Sequence, residues 1–204
     1  NLNPEVWGDR REIFGCFWLP NYYGGFGAMV WKALEPSVSR ITQLHFTILT
    51  NDGQRAPVEQ QKRYSKAICK MDRESFRIAP VARGNPNEFI IAEGIETALS
   101  AQEIFRKLAP NETPPSVYAS MDAGMMSRFR PFETNSDTKY WICGDRDESN
   151  TGQRAAAACK MNIGSATGGY DRAYVVLPDT EGQDWADILM SGDTHRMMSI
   201  AKPI

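Results

Sequence analysis

Paired cysteines, histidine and long apolar runs are the scarce features of this 204-residue chain. Its four cysteines, Cys16, Cys69, Cys143 and Cys159, are widely separated and form no CxxC pair, and the only histidines are His45 and His195. Too few paired soft ligands are left for a structural zinc site, so none is expected. Scattered thiols instead read as reduced, which suits a cytoplasmic setting. No apolar run approaches the ~20 residues of a membrane helix, so no membrane partner is expected. The first ten residues are polar, without the apolar segment of a secretory signal. Neither internal repeats nor low-complexity tracts are present. The net charge is only −2, but it is divided unevenly. Residues 1–87 carry twelve Lys/Arg against eight Asp/Glu, and residues 88–204 carry eleven against seventeen. A basic front and an acidic back suit a protein that grips phosphates with one part and metal with the other, although uneven scatter would look the same.

The two halves differ in rhythm. In the front half, Phe26–Leu34 and Ile41–Thr50 alternate as antiparallel strands, and Asn51-Asp52-Gly53 signals a turn. Gln60–Met71 reads as a short helix or exposed loop, and Phe76-Arg77-Ile78 as one more strand. Pro80–Asn87, rich in proline, glycine and asparagine, is the expected boundary between a β-rich unit (1–87) and a second unit (88–204). In the back half, apolar runs at 88–92, 117–119, 140–143 and 173–177 alternate with helical patterns at about 96–108, 152–161 and 185–190. Strand alternating with helix predicts an α/β fold with a mostly parallel sheet flanked by helices.

The acids fall at informative places. Glu93 directly follows the run Phe89-Ile90-Ile91-Ala92, and Asp145 and Asp147 follow Tyr140-Trp141-Ile142-Cys143. Open α/β sheets keep their sites at the carboxyl ends of their strands. The i, i+2 spacing of Asp145 and Asp147 sends both side chains to one side of an extended segment. Such carboxylates form a hard, oxygen-rich donor set suited to Mg²⁺. Taken singly, each is equally well a helix-start or turn acid. Asp184 is either the cap of the last helix or a further acid at the same edge. An EF-hand reading of the Asp145 segment fails, because the required glycine and closing glutamate are absent.

Strand-Glu-Gly, then strand-Asp-x-Asp, then Gly-x-Asp together resemble the Toprim domain of bacterial-type primases, topoisomerases and some nucleases. Glu93-Gly94-Ile95-Glu96-Thr97-Ala98-Leu99, the segment Asp145 to Ala156 and the tail Gly182 to Leu189 are similar to the subgroup found in plasmid and phage primases, often joined to a helicase. His45-Phe46-Thr47 and Asp52-Gly53-Gln54-Arg55-Ala56-Pro57 resemble the small β-rich subdomain that precedes Toprim there. The resemblance implies a DNA primase core that makes short RNA primers by metal-dependent nucleotidyl transfer. Its partners would be a single-stranded DNA template, ribonucleoside triphosphates and a helicase. Glu93, Asp145 and Asp147 would be catalytic and bind Mg²⁺ or Mn²⁺, with Asp184 as a further metal residue. Arg55, Lys62, Arg63, Lys66 and Lys70 are the candidates for contacting template or triphosphate, since phosphate needs fixed positive charge. A solvated polar face accounts for the same cations equally well. Tyr22, Tyr23 and Trp31 read better as aromatic core than as base-stacking residues. Primases of this kind commonly carry a zinc-binding segment that this sequence does not contain. Two other readings stay open: a Toprim nuclease, and a non-catalytic nucleic-acid-binding module of a replication or mobilisation complex.

Overall fold

A computed structural model describes residues 16–35, 40–68, 76–131 and 137–193. The first sheet is an antiparallel meander of β1 (Cys16–Tyr23), β2 (Phe26–Glu35), β3 (Arg40–Leu49) and β4 (Lys62–Tyr64), in that spatial order. The expected turn after β3 is closed by the Gly53 N–H on the Thr50 carbonyl at 2.9 Å, with Gly53 at φ 80°. That left-handed conformation is one glycine adopts without strain.

The structure bears on three sequence expectations here. In the segment beginning at Gln60, Lys62–Tyr64 forms a strand and the described residues on either side are loop. Lys62–Tyr64 pairs with β3, and pairing continues through Ser65 N–H to Leu44 O (2.9 Å) and Ile68 N–H to Thr42 O (2.8 Å). Phe76–Ile78 contributes a single bridge, Ile78 to Leu34, rather than a strand. Pro80–Asn87 holds most of β5 (Ala79–Ala82) and the start of β6 (Asn85–Ala92). Its prolines are tolerated because β5 is an edge strand and because the β6–β7 register shifts between Asn85 and Phe89.

The second sheet runs β5-β7-β6-β8-β9, with β7 at Pro115–Ala119, β8 at Lys139–Cys143 and β9 at Ala173–Val176. Only β5 is antiparallel, so the expected mostly parallel sheet is present. Helices α1 (Ile95–Leu108), α2 (Ala123–Met126), α3 (Thr151–Thr167) and α4 (Trp185–Ser191) complete the described elements. Glu96 in the first turn of α1 and Arg106 and Lys107 in its last turn complement the helix dipole.

Period-two alternation distributes the core. Ile90 and Ala92 of β6 pack with Ala98 and Ile104 of α1 and Trp185 and Ile188 of α4. Phe89 and Ile91, on the opposite face, pack with Ala155, Cys159 and Ile163 of α3. A central parallel strand buried on both faces is a continuous apolar run, which is why β6 and β8 are conspicuous in the sequence. The first of these cores also contains Cys16, Met29, Trp31 and Leu49 from the antiparallel sheet. Reciprocal bonds between Leu34 and Ile78, both 2.8 Å, stitch the two sheets together.

Candidate active site

The centre of the parallel sheet places three acids along one edge. Glu93 immediately follows β6, Asp122 lies three residues beyond β7, and Asp145 lies two beyond β8. These strands are neighbours, so their carboxyl ends converge where open α/β sheets keep their sites. Backbone pairing continues past β7 and fixes this edge. Ser120 N–H and Oγ both donate to Ala92 O (2.8 and 3.1 Å), and Met121 N–H donates to Glu93 O at 2.8 Å. Asp122, absent from the sequence-based set, caps α2 by accepting the Met125 N–H at 2.7 Å. The signal for it was present, an aspartate shortly after the strand at 117–119, but the irregular stretch around it obscured the pattern.

The loop that follows β8 is held on several sides. The buried Trp185 indole N–H donates to Gly144 O at 3.0 Å, and Gly144 N–H donates to Val176 O at 3.1 Å. A Cβ on Gly152 would stand 2.5 Å from Asp145 O, so only glycine lets α3 come this close. Thr97 Oγ1 donates to Asp145 Oδ1 at 3.4 Å, which ties the first motif to the second. Asp147 turns instead to the first turn of α3. It accepts from Ser149 Oγ (2.7 Å), Thr151 N (3.0 Å) and Gly152 N (3.1 Å). Arg146, between the two aspartates, donates to Pro178 O (3.2 Å) and Asp179 O (2.9 Å) and anchors the loop that leads to Asp184. Asp184 is the N-cap of α4 and forms a reciprocal capping box with Asp187.

Charge coupling shows that these groups share one environment. The Glu93 carboxyl is held above the ordinary glutamate range by burial, then by repulsion from Asp145, Asp122 and Asp147, against a hydrogen bond from Ala123 N–H. Asp145 is likewise raised, first by burial, with Asp184 and Asp147 adding to it while the Thr97 hydroxyl and Lys62 oppose. Asp147 is lowered, chiefly by the Ser149 hydroxyl and then by Gly152 N–H, so it stays ionised.

The antiparallel sheet delivers a cation to this edge. Lys62 Nζ pairs with Glu96 Oε2 at 3.0 Å, and its charge also reaches Asp145. Tyr64, two residues along β4, lies against the same edge, with its hydroxyl donating to Met121 O at 3.3 Å. Beneath it the buried His45 meets the Tyr64 ring edge-on at 4.8 Å. Burial lowers the His45 imidazole to about 4, leaving it neutral. Tyr64 did not stand out in the sequence, because its segment did not read as a strand. Arg63 points to the other face, over the Tyr23 ring at 4.0 Å. Arg55 and Lys66 are exposed, while Lys70 lies outside the described residues. Trp31 is fully buried core and Tyr22 stacks on Phe46.

Among the described residues, no three Asp, Glu, His or Cys side chains are gathered closely enough to cage an ion unaided. Mg²⁺ does not need such a cage: it keeps several waters and binds through one or two carboxylates plus substrate phosphates. Glu93 and Asp145 offer two half-buried carboxylates raised in part by neighbouring negative charge, an oxygen-only set that fits such an ion.

This edge, with Glu93 directly after the central strand and the Asp145–Asp147 loop beside it, is that of a Toprim domain. The Toprim family model matches residues 88–194, just over half of the chain, and the chain belongs to that family. A crystal structure of a DNA primase domain from Pseudomonas aeruginosa is similar at 15% identity and a TM-score of 0.46. The match covers 91% of this chain and 57% of that one, so the chain spans little more than half of that domain's length. No curated protein matches the chain. Among the described residues, no helix is long and apolar enough to cross a membrane.

Proposed function

We propose that this chain is the catalytic core of a primase-type nucleotidyltransferase that joins ribonucleotides on a single-stranded DNA template. The observation that carries this reading is the pairing of Glu93 with Asp145 at one sheet edge, together with Lys62, which arrives from a separate antiparallel sheet and acts on Asp145. Phosphoryl transfer needs anionic ligands for a divalent cation and a fixed cation for phosphate, side by side.

In the proposed reaction the 3′-hydroxyl of the growing primer attacks the α-phosphate of the incoming ribonucleotide, and pyrophosphate leaves. Mg²⁺ or Mn²⁺, held by Glu93 and Asp145, would supply charge neutralisation of the phosphates and acidify the attacking hydroxyl. Glu93, raised by burial and by its acidic neighbours, is suited to take the hydroxyl proton. Asp147 stays ionised and contributes negative charge beside the site. Asp184, the N-cap of α4, adds negative charge felt at Asp145 and would be a further acid toward the ion. Lys62 exchanges its exposed pairing with Glu96 for a triphosphate oxygen. Arg55 and Lys66, both exposed, would contact the template, and Arg63 and Lys70 are further candidates for it. A helicase supplying unwound DNA in the cytoplasm of a plasmid- or phage-bearing cell is the context this reading implies.

The test is primer synthesis: single-stranded DNA, labelled ribonucleotides, Mg²⁺ or Mn²⁺, and an Asp145→Asn control. Short RNA products that vanish in the control are expected. Template degradation lost in the control would replace this reading with a nuclease. Absence of both products would leave a binding module.

A further inference from the structure

A cleft between α2 and α3 opens beside the acids, and the reaction above makes no use of it. It encloses about 330 Å³ and is lined by Ala123, Gly124, Ser127, Thr151, Arg154 and Ala155. The first three recur at the i, i+1, i+4 spacing of one α2 face, and the last three at the i, i+3, i+4 spacing of one α3 face. Both walls touch the acid cluster directly. Ala123 N–H bonds to the Glu93 carboxylate, and Thr151 N–H donates to Asp147 Oδ1 at 3.0 Å.

The lining has one sign of charge. Arg154 is its only ionisable member, and Arg128 adds a guanidinium at the rim through Nε to Gly124 O at 3.0 Å. Arg154 is braced in place, with Nη2 on Ser149 O at 2.6 Å and Nε on Asn150 O at 3.1 Å. Two of its five donors are thereby engaged, and the others meet no partner among the described residues. Alanine and glycine contribute most of the remaining wall, so a ligand backbone can approach closely.

We propose that this cleft is a track for the sugar–phosphate backbone of a nucleic-acid strand held at the acid site, with Arg154 and Ser127 gripping one phosphodiester. The proposal rests on the nucleotidyl-transfer reading and extends it by assigning where the strand runs. Charge decides between a strand and a free triphosphate. Two guanidinium groups, each already engaged by backbone carbonyls, suit a single phosphodiester charge, whereas a triphosphate carries several and would require a denser cationic set. The cleft is also an open trough rather than a closed pocket, as a continuous strand demands.

The test measures binding of a labelled single-stranded DNA oligonucleotide, and separately of ATP, by fluorescence anisotropy at several salt concentrations. Arg154→Ala is expected to weaken DNA binding about tenfold and to reduce the salt slope by roughly 0.7, the release expected for one single-strand phosphate. ATP affinity should stay unchanged. Because Arg154 also braces the loop before α3, Ser127→Glu serves as a second variant that places repulsion in the cleft without removing that brace. It should weaken DNA binding comparably, with an unaltered melting temperature. Wild-type affinity for DNA in both variants would overturn the track and leave the proposed reaction standing. A loss confined to ATP would also overturn the strand assignment. A wild-type protein that binds no DNA at any salt concentration would instead overturn the nucleotidyl-transfer reading itself.

Discussion

Asp145→Asn should make the metal-free protein more stable while removing its response to metal. The amide is nearly isosteric and its oxygen still accepts from Thr97, so the replacement chiefly deletes a charge. That charge is unfavourable in the folded state, because burial, Asp184 and Asp147 all disfavour ionisation. A carboxyl whose folded pKa is raised binds its proton more tightly when folded. Stability contributed by the protonated form is therefore present at low pH and lost as pH rises through the raised value. The wild-type chain carries no penalty well below pH 4, where the group is protonated in both states, and carries it in full once the pH exceeds the raised value. Charge optimisation at a single site contributes about 1 kcal/mol, roughly 2–4 °C for a chain of this size. Magnesium at a hundredfold excess over its Kd would stabilise the wild type by about 2.7 kcal/mol, and the variant by much less. Thermal unfolding in EDTA and in Mg²⁺, at pH 4 and pH 7, should therefore show the order of stability inverting when metal is added. A variant less stable than wild type in EDTA at pH 7, or equally stabilised by Mg²⁺, would refute this reasoning.

Three further outcomes follow from the geometry. Gly152→Ala presses a methyl group against Asp145 O, which should cost about 1–3 kcal/mol and abolish primer synthesis with every acid still present; chemical denaturation and the primer assay read the two effects. Trp185→Phe keeps an aromatic ring but leaves the buried Gly144 carbonyl unpaired, which should cost about 1–3 kcal/mol in urea unfolding. Lys62→Gln removes an ion pair whose lysine is 50% exposed, so stability should move by no more than about 0.5 kcal/mol. Its effect should appear instead as an approximately tenfold rise in KM for ribonucleotide in steady-state kinetics.

The parallel sheet was legible because its central strands are buried on both faces and therefore appear as unbroken apolar runs. The antiparallel sheet hid two of its members. β1 contains Pro20 and Asn21, which break the strand pattern; in the structure Asn21 is left-handed (φ 52°) inside a stretch where the register shifts between Leu19 and Tyr23. β4 is three polar residues long and is recognisable only from its partner. In the candidate site, Glu93 and Asp145 lie at the strand ends that the sequence indicated. The spacing rule for Asp145 and Asp147 assumed an extended chain. The backbone instead curls through Ser149 and Thr151, and Asp147 is taken up by hydrogen bonds at the head of α3. Asp122 was missed because helix capping and site membership require the same residue type in the same place, and a sequence cannot separate two uses of one side chain.

The stitch between Leu34 and Ile78, with the core shared across both sheets, bears on where this polypeptide can be divided. The family match opens at residue 88, but a piece starting there would lose β5, which covers the outer edge of β7. It would also uncover Ile90, Val117 and Ala119 on the face where Met29 and Trp31 share their core. An unprotected parallel edge beside a bare apolar face is a template for self-association. The smallest piece that behaves as a monomer is therefore set by the seam between the sheets, not by the motif.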